Sequence, residues 1–139
     1  MTYQEFISKH KLGMTCERIN ERKDQSEWGS ATRHWSLRIF TPGIMDFTSE
    51  FTDFRVEFSQ GSAHTKEPQL DEVLDCLASD AAGVENANNF EDWCAEYGFD
   101  EDSRKAEKIY LAALDQAEAL KNFLGSDAYN ELLWDMERL

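Results

Sequence analysis

Two hydrophobic rhythms divide the chain. In "HWSLRIFT", residues 34–41, Trp35, Leu37 and Ile39 alternate with Ser36 and Arg38; in "DFRVEFSQG", residues 53–61, Phe54, Val56 and Phe58 alternate with Arg55 and Glu57. A period of two sends successive side chains to opposite faces of a strand, so both segments read as half-buried strands. "MTCERIN" (14–20) supplies a strand ahead of them, "ERKDQSEWGSATR" (21–33) reads as a polar loop, and "TPG" (41–43) reads as a turn. These segments predict a three-stranded antiparallel meander with one apolar face. Before it, "TYQEFISKHKLG" pairs Thr2 with Glu5 at capping-box spacing and closes on Gly13, which predicts a short helix displaying Phe6 and Ile7.

Beyond Pro68 the period lengthens to that of a helix. Leu70, Val73, Leu74 and Leu77 recur on one face, and Gly83 is the predicted stop. Asn89 can cap a second helix whose Phe90, Trp93, Cys94 and Tyr97 share a stripe that ends at Gly98. A long helix follows, with Ala106, Ile109, Tyr110, Ala113, Ala117, Leu120 and Leu124 along one face and Gly125 at its end. Ser126 is the predicted cap of a last helix showing Tyr129, Leu132, Leu133 and Met136. The expected fold is therefore α+β, a small antiparallel three-stranded meander packed against a C-terminal set of helices. A chain of 139 residues suits one core, so residues 1–139 are read as a single domain.

Composition narrows the function classes. With 41% apolar residues the chain can fold, yet no apolar run approaches the roughly 20 residues that span a bilayer. The start lacks the apolar stretch of a secretory signal, which makes the cytoplasm the expected compartment. Cys16, Cys76 and Cys94 are odd in number and widely spaced, so no disulfide is expected. Together with His10, His34 and His64 they lack the short paired spacings of zinc sites, so neither metal nor other cofactor is expected. Cys94 sits beside Glu91 and Asp92, where carboxylates oppose thiolate formation; it reads as a packed thiol rather than a nucleophile. "DEDSR" (100–104) puts Arg104 where a calcium loop needs an oxygen, and "GSAH" (61–64) lacks the lysine of a phosphate loop. Without a catalytic signature, the chain is read as a non-enzyme.

Charge changes the picture most. The formal net charge is −14, and from Glu67 to Ser103 twelve acids occur without a lysine or arginine. Such a surface repels free nucleic acid and anionic membranes and complements a basic protein surface. Asp71, Glu72, Glu91, Asp92 and Asp102 are read as lying in first helical turns, where the macrodipole favours them. Asp75, Asp80, Glu85, Glu96, Asp100 and Glu101 lack that explanation. Asp71 with Asp75, and Asp92 with Glu96, are like-charged pairs four residues apart, each costing about 0.2 to 0.5 kcal/mol. Carboxylates one helical turn apart, about 5.4 Å, form a sparser version of the phosphate array of duplex DNA.

The words "GSAH", "VLDCLASDAAG" and "FEDWCAEYGFDEDSRKAEKIY" carry a resemblance. From about Trp35 to Leu124 the chain resembles a family of small acidic proteins, most without an assigned activity, carried by bacteriophages, prophages and plasmids. "FEDWC" and "YGFDEDSRKAE" are its most specific words, and residues 1–32 lie outside it. The resemblance implies a mobile-element origin, and proteins of that origin include anti-restriction and anti-CRISPR inhibitors. The expected partner is thus the basic surface of a host nucleic-acid-binding defence complex. The expected contacts are Asp75, Glu96, Asp100, Glu101 and Asp102, with Trp28 as an aromatic anchor on the polar loop. The alternative is a regulatory module acting as a homodimer, because Leu132, Leu133, Trp134, Met136 and Leu139 cannot all face one core.

Overall fold

The structure, a computed structural model, describes residues 1–19, 33–41, 53–60 and 66–137. Trp28, the turn residues 42–43, the "GSAH" segment with His64, and Leu139 lie outside the described residues. The fold is α+β, with a three-stranded antiparallel sheet and five helices among the described residues. Contacts divide it into two compact units, one of Tyr3–Val73 and one of Met1–Thr2 with Leu74–Leu139.

The first unit holds helix α1 (Tyr3–His10) and strands β1 (Gly13–Arg18), β2 (Arg33–Phe40) and β3 (Asp53–Gln60), in sheet order β1-β2-β3. Its register places Cys16 opposite Leu37 and Leu37 opposite Val56, and likewise Met14, Ile39 and Phe54 in one row. Directly opposed residues share a face, so the period-two pattern resolves into one apolar side. Trp35, Leu37, Ile39 and Phe54 on that side are buried, and Tyr3 and Phe6 of α1 are buried too. Gln60 is also buried, and its Oε1 accepts a 2.9 Å hydrogen bond from the Trp35 indole N–H. This bond satisfies two polar groups that burial would otherwise penalise.

Gly13 does not end α1. Lys11 takes the left-handed conformation at φ 53°, while the Lys11 and Leu12 amides donate to the Ser8 and Ile7 carbonyls. That double bond is the Schellman closure of a helix. Gly13 instead opens β1 opposite Phe40, whose ring carbons would lie 2.9 Å from any Cβ placed there.

The helical unit continues α2 (Leu70–Asn86), whose first four residues belong to the sheet unit. It adds α3 (Phe90–Tyr97), α4 (Arg104–Leu124) and α5 (Ser126–Trp134). The predicted stop at Gly83 is corrected, since α2 runs on to Asn86. A Cβ on Gly83 would overlap the Tyr97 hydroxyl, so the glycine makes room for that ring rather than ending the helix. Ser126 is likewise the first residue of α5 and not its cap; Gly125 holds the cap position without a side-chain bond. Ile109, expected on the buried face of α4, is 38% exposed, while Ala106, Ala117 and Leu120 are buried. Tyr129 on α5 donates to Glu85 Oε1 on α2 at 2.8 Å, and Leu132 and Leu133 beside it are buried. Met1 ties in as well, its amino group donating to the Asp135 carbonyl at 3.2 Å and its own carbonyl accepting from the Glu137 amide at 2.9 Å.

Candidate functional site: an acidic helix on an aromatic cluster

The site grows out of α3, whose ends are fixed by its sequence. Asn89 Oδ1 accepts from the Asp92 amide at 2.9 Å, and Gly98, at φ 74°, lets the chain leave in a left-handed turn. The Phe99 amide then donates back to the Cys94 carbonyl at 2.9 Å, which aims the Phe99 ring at the helix it has just left.

Trp93 is the centre of that turn. Phe99 stacks on it at 5.2 Å between centroids with 4° between planes; Tyr97 and Tyr110 approach at 5.2 and 5.3 Å in tilted geometry, and Phe90 lies at 6.4 Å. Such offset and tilted contacts suit the ring quadrupoles. Trp93, Cys94, Val84 and Ala106 form the buried core here. The stacking of Phe99 on Trp93 holds the start of the connector 99–103 against α3, and the connector's carboxylates are exposed.

The connector is also ordered by its own acids. Asp100 Oδ1 accepts from the Asp102 amide at 3.0 Å, the Ser103 amide donates to the Asp100 carbonyl at 3.0 Å, and Ser103 Oγ accepts from the Ala106 amide at 3.2 Å to cap α4. Asp102 therefore stands one residue before the cap and outside the first turn of α4.

Two clefts flank α3. One, about 220 Å³, is lined by Glu91, Cys94, Phe99, Asp100 and Glu101. The other is a groove of about 700 Å³ between α2 and α3, lined by Asp92 and Glu96 of α3 and Asn86 of α2 among others. Glu91, Asp92, Glu96, Asp100, Glu101 and Asp102 are all exposed. Among the described residues none of these six forms an ion pair, although Arg104 and Lys105 follow at once in the sequence. The rings of Tyr97 and Phe99, 47% and 37% exposed, sit among them.

Of the predicted contacts, Asp100 and Glu101 are brought together with Glu91, and Glu96 is brought together with Asp92 across the helix. Asp102 is exposed on the connector but lines neither cleft, and Asp75 is half-buried on α2 and engaged with a neighbour. Asp75 is therefore set apart from the α3 face. Asp92, Tyr97 and Phe99 join the face without having been singled out as contacts. Their signal was the like-charged spacing of Asp92 and Glu96 and a helical stripe too rich in rings for so short a helix.

Burial pushes the Cys94 thiol up, and Glu101, Glu91 and Asp100 push it further. At 1% exposure it packs as a small apolar group. His10 lies against Phe6 at 4.6 Å, and His34 Nδ1 is 3.0 Å from Ser59 Oγ. Among the described residues no group of three or more histidine, cysteine and acidic side chains is placed to hold a metal ion, and no helix is long and apolar enough to cross a membrane.

The sheet unit carries the opposite kind of electrostatics. Arg38 and Arg55 face each other across β2 and β3, and Asp53 Oδ2 accepts from both, at 2.7 and 3.3 Å. Hydrogen bonding from Arg38 holds the Asp53 carboxyl below the usual carboxylate range, with Arg55 adding to the effect. Compared with models of protein families, with curated proteins and with solved structures, the chain matches none.

Proposed function

We propose that the protein is a non-enzymatic counter-defence inhibitor of mobile-element origin. It binds the lysine- and arginine-lined path of a host nucleic-acid-processing complex, a CRISPR effector or a restriction enzyme, through the acidic face of α3 and its connector. The observation that carries this reading is the set of six exposed carboxylates at 91, 92, 96 and 100–102, none of them ion-paired among the described residues. Surplus charge of one sign speeds encounter with an oppositely charged surface, and exposed rings such as Tyr97 and Phe99 supply the contact area that holds it. The family resemblance in "FEDWC" and "YGFDEDSRKAE" supplies the biological setting. The test is capture from bacterial lysate at low and high salt by the wild type and by the triple variant Glu96→Lys, Asp100→Lys, Glu101→Lys. A nucleic-acid-binding complex held by the wild type, released by salt and missed by the variant supports the reading. Equal capture by both proteins at both salts rejects it.

A homodimeric accessory module is the second reading, favoured by Trp134, which is 51% exposed at the end of α5 while Leu132 and Leu133 are buried. Light scattering over a range of concentrations, with Trp134→Ser as comparison, decides it. A mass near that of one chain throughout removes this reading.

A further inference from the structure

The groove between α2 and α3 has a finer chemistry than the acidic face around it. Asp92 and Glu96 stand one helical turn apart on its α3 side, both exposed and without an ion pair among the described residues. Its lining includes the small apolar residues Ala82 of α2 and Ala95 of α3. The Tyr97 side chain lies over Gly83, in the space a side chain there would take. Asn86 adds a neutral amide to the lining. With a volume of about 700 Å³ the groove is half open to solvent, a shape suited to one protruding side chain.

We propose that this groove seats an arginine side chain of the basic partner, its guanidinium between Asp92 and Glu96 and its stem across Ala82 and Ala95. The commitment to arginine follows from geometry. A planar guanidinium has five donors in a fixed fork and can serve two separated carboxylates and an amide oxygen together, whereas an ammonium is a compact, strongly hydrated point charge. The aliphatic stem needs an apolar track, which the alanines supply. The half-exposed Tyr97 side chain lines the same groove, and aromatic rings attract cations. A bound guanidinium also relieves the repulsion built into the Asp92 and Glu96 spacing. The inference rests on the acidic docking face proposed above and names the residue type that the face anchors.

The experiment titrates isotopically labelled full-length protein with the blocked tripeptide Gly-Arg-Gly, and with its lysine and citrulline counterparts, following backbone amide shifts. The expected result is saturable shifts at amides of residues 82–87 and 92–97 with the arginine peptide, binding about fivefold weaker with lysine, and none with citrulline. Ala82→Leu fills the groove without altering charge, and Glu96→Gln removes charge without altering shape; each should weaken arginine binding about fivefold or more. Should Ala82→Leu fail to fold, Glu96→Gln, an exposed isosteric change, decides. Equal responses to arginine and lysine, or shifts spread evenly over Glu91, Asp100 and Glu101, overturn the proposal. The two readings fail separately. No peptide binding alongside salt-sensitive partner capture removes the groove and leaves the docking face; peptide binding in the groove without such capture upholds the groove and removes the docking face.

Discussion

On the sheet, Arg38 and Arg55 sit directly opposite each other, an arrangement that repels, and Asp53 is placed to bond both. On α3 and its connector, six carboxylates lie as close in sequence, with Arg104 and Lys105 next to them, and no such pairing forms among the described residues. The same side-chain types are used in two ways. In the sheet unit the charges are compensated locally, by one carboxylate that bonds both arginines. On α3 the rings pack beneath, and the charges above have no ion-pair partner among the described residues. That division is what makes the acidic face a candidate for binding rather than for folding.

The largest effect should come from removing the aromatic support. Trp93→Ala deletes the side chain on which Phe99, Tyr97 and Tyr110 converge, and should cost about 3 to 5 kcal/mol in urea denaturation. A cost below about 1 kcal/mol would mean that the rings do not hold α3 and would break the comparison at its base.

On the sheet side, Trp35→Phe keeps the apolar bulk and leaves the Gln60 amide oxygen buried without its donor. The expected loss is about 1 to 3 kcal/mol, measured in the same way. Gly83→Ala is of similar size in the helical unit. In an open helix this change stabilises by about 1 kcal/mol, but here the new Cβ meets Tyr97, so a loss of about 1 to 3 kcal/mol is expected. In a Tyr97→Ala background the sign should reverse; a loss of equal size in both backgrounds would refute the close-approach explanation.

Acid should separate the two regions more gently. Asp53 is held below its ordinary range by Arg38 and Arg55, so the stability it contributes is complete above the unfolded-state value of about 4 and is lost as pH falls through the lower folded value. Arg38→Met should flatten the decline in urea midpoint below about pH 4, and an unchanged decline would show that the pair does not carry it. The smallest effects on stability belong to the acidic face. Glu96→Lys, Asp100→Lys and Glu101→Lys should each lie within about 0.5 kcal/mol of the parent protein, with Asp100 the most sensitive because it accepts from the Asp102 amide.

Much of the fold was legible because period and caps agree. The strands at 35–39 and 54–58 alternate cleanly, and Asn89 and Gly98 each mark the boundary that their chemistry dictates, whereas Ser103 as the cap of α4 was not singled out. Glycine was the weak signal. Gly13 and Gly83 are required by Phe40 and Tyr97, partners distant in sequence, and nothing local distinguishes a glycine that ends a helix from one that lets a ring approach. The acidic face was legible as charge but not as shape. Asp75 and Glu96 look alike in the sequence, yet one is half-buried and engaged while the other lines a groove that exists only after α2 and α3 meet.

The most direct test of the central claim, that the α3 carboxylates are kept for a partner, compares capture from bacterial lysate by the parent protein, by the triple lysine variant at 96, 100 and 101, and by Glu17→Lys on β1. The account expects a nucleic-acid-binding complex to be retained by the parent and by Glu17→Lys at low salt, released at high salt, and missed by the triple variant although it melts normally. Retention by all three alike, indifferent to salt, would contradict it.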